Sequence, residues 1–585
     1  MASDVVTAKQ AAAPLPSRFR LEGLTLLYIL LLTFVAFIVL YPIVLLAINS
    51  FNTAPFGQGW RWGLSNWQTA LTQPRILTAL QNTVTLTVTR QALALLIGVT
   101  LAWLLARTNL PGRNWLEMGF WFALLLPQLP ILLGWILLLD GHYGVLINAI
   151  RKLPGLSGFQ FEIFSWWGII VAHLVINLIP LKVFLLTPAF RNIDGALEEA
   201  ARAHGASTAR SLFQIVFPLV TPAILFVTLL GIIRSMQSFE IELILGGAAK
   251  IDVYSTLMYR DIQQSPPRYG SATALAMVVL VAMTPFIVLQ QNFINKRSYQ
   301  TVSGKFQARL YDLGGLRWPI FAAVAGLVAI ILVLPTSFMV LSSFMKVFGN
   351  FNVPEPWTTG NWSRVLSDPL LLKAVVNTLQ IGFGAMLLSI SLFTVIAYVS
   401  LRSKFFGRRF LNFLTWLPST IPGIVTSLGL LWLFLGTPIF RPLYGTIWIL
   451  ILAMGISGIT LGTQLIRSSL MQLGNELEEA SWAAGAGWGL TMRRVLMPLM
   501  APTIAIVGLQ SFAAAVSAVS LIALLGSAAN KPLSLLQLEY LDTGLFEPAS
   551  VIGIMIFFLA VVAAVVARVI SNRVGLARFG SSTGR

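Results

Sequence analysis

Glu198-Glu199-Ala200-Ala201-Arg202-Ala203-His204-Gly205-Ala206, followed after a short basic run by Phe217-Pro218-Leu219-Val220-Thr221-Pro222, decides the reading of this chain, because the sequence contains it twice. The second copy is Glu478-Glu479-Ala480-Ser481-Trp482-Ala483-Ala484-Gly485-Ala486, with Met497-Pro498-Leu499-Met500-Ala501-Pro502 behind it. In both copies the second glutamate stands six residues before the glycine and the glycine thirteen before the first proline, so they superpose without a gap. Each reads as a short helix, a glycine break, a second basic helical stretch and a hydrophobic helix opened by proline, where a missing N–H does no harm. That is a polar elbow between two membrane helices. Asp194 suits the cap of the first short helix, and Asn475 with Glu478 three residues on suits a capping box for the second. The alanines at 200, 201, 480 and 483 keep the elbow narrow enough for another protein surface to approach closely.

A chain of 585 residues that is 57% hydrophobic and only 10% charged is too apolar for a soluble globule. It is expected to be an all-α polytopic membrane protein. Its formal charge of +18 sits in short loops between apolar runs, where basic residues set topology, so a nucleic-acid partner is excluded and membrane lipid expected. There is no cysteine, which removes disulfides and thiolate metal sites. His142, His173 and His204 are scattered and read as packed or surface residues, so no metal site is expected. The apolar run from Leu24 to about Ala47 is too long for a signal-peptide core and reads as an uncleaved first helix.

Twelve spans are expected, near 24–47, 80–106, 118–139, 165–189, 219–243 and 272–293, then 318–343, 375–401, 410–434, 446–466, 499–526 and 549–570. The corresponding domains are a tail 1–23, a first half 24–294, a linker 295–317, a second half 318–572 and a tail 573–585. Asn82-Thr83 and Asn377-Thr378 open equivalent spans. Pro127-Gln128-Leu129-Pro130 matches Pro418-Ser419-Thr420-Ile421-Pro422, which extends the duplication. An even span count per half makes the halves parallel repeats, with both elbows on one side. Arg107, Arg113, Arg191, Arg402, Arg408, Arg493 and Arg494 fall on that side, which places the elbows and both termini in the cytoplasm. Lys250, Asp252, Arg260 and Asp261 belong to an outer loop.

The duplicated stretch resembles the Glu-Ala-Ala-x-x-x-Gly motif, with its trailing Ile-x-x-Pro, of permease subunits of binding-protein-dependent ABC importers. The first copy matches throughout, including Ile215 and Pro218; the second has Ser481 for an alanine and Val495 for the isoleucine. The resemblance implies a type I ABC importer permease fold in the bacterial inner membrane, with two six-helix halves fused. It also implies two cytoplasmic ATP-binding cassette subunits as partners and a periplasmic substrate-binding protein. In that family the segment is the coupling helix, so Glu198, Glu199, Ala200, Gly205, Glu478, Glu479, Ala480 and Gly485 become the expected ATPase-coupling residues. Ser238-Phe239-Glu240-Ile241-Glu242 and Pro266-Pro267-Arg268-Tyr269-Gly270 resemble the fused permeases of ferric iron importers, with thiamine and polyamine permeases as near relatives.

No G-x-x-x-x-G-K-[ST] loop, His-Glu-x-x-His or Gly-x-Ser-x-Gly pattern occurs. The chain therefore reads as a transport component and not an enzyme, with no cofactor of its own and ATP bound by a partner. A major-facilitator-like secondary transporter also has parallel six-helix halves, but it has no reason to carry the elbow. Ionisable and polar residues inside spans mark candidate pathway positions: Lys182, Arg234, Gln237 and Glu240. Arg234 lies sixteen residues past Pro218, about 24 Å along a helix. Glu240 and Glu242 are carboxylates suited to a hard cation at the outer mouth.

Overall fold

The computed structural model describes residues 18–54, 58–296 and 310–580, and among them only helices, turns and isolated bridges occur. Residues 1–17 of the expected N-terminal tail and most of the expected linker lie outside the described residues, and 18–23 already belong to the first helix. At the other end the last helix runs from Phe546 to Gly580, so residues 573–580 continue a helix where a tail was expected.

Among the described residues nine helices are long and apolar enough to cross a membrane, and the total reaches twelve if each of three bent pairs is one span. Counted that way the total agrees with the twelve expected spans, three of which are bent. The stretch 118–139 is broken between Arg113–Leu125 and Gln128–Leu139 with a 108° bend, and 410–434 between Arg408–Thr420 and Gly423–Gly436 with a 113° bend. Pro127 and Pro422 are the cause. Each denies its helix an N–H and pushes the preceding residue, Leu126 or Ile421, into extended backbone. The third, 446–466, bends by 52° at Gly458, between Ile447–Ser457 and Ile459–Met471.

The spans expected at 219–243 and 499–526 also end early, at Met236 and Ser517. Beyond each the chain turns back into the protein as a short helix, Tyr254–Gln263 and Leu533–Asp542, of ten residues. Ten residues reach about 15 Å, too little to cross. Tyr254, Leu257, Met258, Leu533 and Leu536 are nevertheless buried. The outer loop expected around Asp252 and Asp261 is therefore partly an inward-packed helix. The Asn-Thr pairs hold it there in both halves. Asn82 donates to the Asp252 carbonyl at 3.0 Å and the Tyr254 N–H donates to Thr83 at 3.1 Å; Asn377 donates to the Lys531 carbonyl at 3.0 Å and the Leu533 N–H to Thr378 at 2.8 Å.

The halves interlock. Leu46 of the first helix, Arg18–Ser50, shares a core with Ile424, Val425 and Leu428 of the second half. In return Val324 and Ile331 of the helix that opens the second half share a core with Leu116, Phe120 and Trp135 of the first. Each half thus buries apolar surface that its own helices leave uncovered.

Candidate functional site

The elbows have one design. Their short helices are Gly195–Ala203 and Glu476–Ala483, and every residue of the second elbow stands 280 positions after its counterpart. Both end in the same left-handed cap. The Gly205 N–H bonds the Arg202 carbonyl and the Ala206 N–H the Ala201 carbonyl; Gly485 bonds Trp482 and Ala486 bonds Ser481 in the same way. This paired closure needs a positive φ at the residue after the cap, and φ is +83° at Gly205 and +83° at Gly485. Open space surrounds both glycines, so conformation rather than crowding demands them. A single π-turn, Leu212–Val216 or Met492–Leu496, then leads into the next membrane helix.

Asp194 caps the first elbow helix through the Ala196 N–H, as expected. Asn475 does not: its backbone is helical and its side chain makes no capping bond, so the expected capping box is absent. A cap needs extended backbone to aim its oxygen at the helix, and Gly474-Asn475 does not supply it.

Of the eight expected coupling residues, six share an exposed face: Glu199, Ala200, Gly205, Glu479, Ala480 and Gly485. Leu197, Leu477 and Trp482 stand exposed beside them. Glu198 and Glu478 face the other way. Glu198 is buried, ion-paired to Arg107 and bonded by the Tyr311 hydroxyl. Glu478 is buried against Arg402 at 3.2 Å and accepts from the Tyr398 hydroxyl at 3.0 Å. Within the chain these two glutamates are turned inward, where they fasten the elbow to the helix ending at Arg107 or Arg402, and so are not part of the exposed face. Tyr311 comes from the end of the linker, whose strand-like pairing with Arg107 and Asn109 holds it in place. Neighbouring Asp312 has its carboxyl held below the usual range by the Gly314 N–H and the Asn109 amide.

Two of the four expected pathway residues line a cavity of about 580 Å³ between the halves: Arg234 and Gln237. Its other walls come from the first helix, from the Pro418–Pro422 break, and from Ser457, Thr460, Gln464 and Ser520. The Gln237 amide donates to the Ser419 carbonyl across the interface at 3.2 Å. Glu240 is not among the lining residues; it accepts from the N–H of Ser520, its own counterpart in the second half, at 3.1 Å. Lys182 is fully buried and donates to Gln91 at 2.9 Å, so it is a packed residue rather than an exposed pathway group.

Sequence reasoning missed a buried ionic cluster. Arg90 bonds Glu242 at 2.7 Å, His173 bonds the same oxygen at 2.9 Å, and Ser238 bonds it as well. Arg90 alone among these is an arginine in the middle of an apolar span, and that was the available signal. Glu242, expected at the outer mouth as a carboxylate for a cation, is spent on this cluster. Arg107, Arg402, Tyr311 and Tyr398 were missed because their partners lie far away in sequence.

The sequence model of the family described as binding-protein-dependent transport system inner membrane component matches residues 94–299 and again 390–576. A probable ABC transporter permease protein of Sinorhizobium fredii is 28% identical over 480 residues, 78% of this chain and 81% of that one. A putative ferric transport system permease protein of Haemophilus influenzae is 28% identical over 513 residues, 86% of this chain and 78% of its own. The molybdenum transport system permease protein of Escherichia coli is 31% identical over 194 residues, 33% of this chain and 82% of its own.

Proposed function

The chain belongs to the family of binding-protein-dependent transport system inner membrane components, and from that premise we propose that its two elbows couple a ferric-iron pathway to a pair of cytoplasmic ATPase subunits. The membership makes it a multi-pass inner-membrane permease of an ABC importer, a transport component rather than an enzyme, working with an ATPase and a substrate-binding protein. The observation that carries the coupling reading is the repeated elbow: one exposed face in two copies, closed by the same glycine cap and anchored by the same buried glutamate. Two copies suit two identical ATPase subunits, and the basic loops beside them suit the cytoplasm. Closure of the ATPase pair on ATP then rocks the halves and opens the pathway outward to the loaded binding protein.

Iron is supported by the ferric transport permeases among the relatives and by their coverage of both halves. Uptake of radiolabelled iron, thiamine and putrescine is to be compared in cells with the complete transporter and in a strain deleted for this gene. Gene-dependent iron accumulation is expected; gene-dependent uptake of an organic cation without iron would reassign the cargo and leave the importer fold intact. Reporter fusions after Leu197, near Gly304 and at Arg585 are expected to report cytoplasm, and one near Lys250 the periplasm. A periplasmic signal at Gly304 would overturn the orientation.

A further inference from the structure

We infer that the cavity between the halves binds its cargo as an anion, a small oxyanion or a negatively charged ferric chelate, with Arg234 as the counter-charge. This deepens the importer reading above and rests on it. Arg234 is the one ionisable residue among those lining the cavity, and its side chain is exposed to that space. No hydrogen bond or ion pair holds it among the described residues. An arginine left without a partner inside a membrane protein is costly, and positions of this kind face a pathway or a ligand.

Neither carboxylate that would make the site cationophilic is among the residues lining it. Glu242 is bound to Arg90 and His173, and Glu240 to the Ser520 backbone. A bare ferric ion in this cavity would meet a guanidinium and neutral amides and hydroxyls, with no hard anionic ligand. A guanidinium instead matches an oxyanion or carboxylate in shape and charge, and binds it through two parallel N–H bonds. Gln237, Gln464, Ser457 and Thr460 add neutral polar groups around it. The volume, about 580 Å³, lies within the roughly 300–1,000 Å³ of small-molecule sites and far exceeds a naked ion. In the second half Ala514 stands 280 residues after Arg234, so the positive charge is single and off the pseudo-symmetry axis.

The test uses the permease with its ATPase subunits and binding protein in liposomes of zwitterionic lipid, and reads uptake of ⁵⁵Fe-citrate, sulfate and molybdate. Arg234→Glu and Arg234→Gln are expected to lower uptake of the transported anion at least tenfold, while Arg234→Lys retains most of it and ATP hydrolysis stimulated by the binding protein persists in all three. The cargo that shows the drop distinguishes a ferric chelate from a free oxyanion. As a second readout, titration of the purified chain with each anion is expected to change the fluorescence of cavity-lining Trp416, and Arg234→Gln to abolish the change. Wild-type uptake by Arg234→Glu overturns the anion site and leaves the importer reading standing. Absence of any ATP-dependent uptake by the wild type sinks the importer reading instead, and the anion site falls only if the titration also shows no Arg234-dependent binding. An Arg234 effect seen only when anionic lipid is added would assign the charge to a headgroup and overturn the proposal.

Discussion

In the first half Arg90, His173 and Glu242 form a buried ionic cluster; at the matching positions the second half has Ala385, Ala453 and Ile522, all buried in one apolar core. A similar exchange occurs where two helices cross. Gly98 makes room for the stem of Lys182, whose Cβ would stand 2.5 Å from an added methyl, whereas the second half has Phe393 at the place of Gly98 and Gly462 at the place of Lys182. The bulk has moved from one helix to the other and the crossing is kept. The fold evidently works without buried charge, since apolar residues of adequate volume replace ion pairs at little cost. The elbows behave in the opposite way: glycine cap, π-turn, buried glutamate and arginine partner all recur. Duplicated backbone devices were retained on the elbow face while side chains diverged within the membrane.

The largest expected effect tests the shared cap. Gly205→Pro or Gly485→Pro removes an N–H bonded to the helix end and imposes φ near −65° where +83° is required. Each is expected to abolish uptake at unchanged membrane abundance, and normal uptake in both variants would end the equivalence of the elbows. Next come the anchors. Glu198→Ala leaves the buried Arg107 without its carboxylate, expected to cost about 3–5 kcal/mol in thermal unfolding of the purified chain, and Glu478→Ala, whose partner Arg402 is only partly buried, is expected to cost less. A loss confined to one half would show that the two pairs have parted in function.

A smaller effect separates the sources of the hydroxyl. Tyr311→Phe and Tyr398→Phe each remove a bond to a buried carboxylate, worth about 1.5–3 kcal/mol. Tyr311 ties the first elbow to the linker, so only that variant is expected to increase proteolysis of the linker. Equal cleavage in both would break the distinction. The finest test is steric: Gly98→Ala drives a methyl toward the Cβ of Lys182, which is fixed to its backbone, while Gly462→Ala meets the edge of the Phe393 ring, which can tilt. Both overpack by about 1–3 kcal/mol, with Gly98→Ala expected to be the worse in melting temperature; the reverse order would contradict the exchanged-volume account.

The sequence by itself determined what is local or repeated. Apolar run lengths marked the membrane class, constant spacing exposed the duplication, and the elbow glycines were recognisable because a helix that must turn and restart needs φ > 0 at one position. Pro127 and Pro422 were read as marks of the repeat, although the bends they impose follow from the same ring chemistry. Tertiary structure decided the rest. Both glutamates of each elbow look alike in sequence, and only the helix ending in Arg107 or Arg402 determines which is buried. Lys182 and Arg234 are both cations in apolar spans, yet one packs against Gln91 and the other opens onto a cavity whose walls come from both halves. Hydropathy records that a charge lies at membrane depth, but its direction is set by residues far away in sequence, Gln91 for Lys182 and the second-half wall of the cavity for Arg234. No local pattern carries that information.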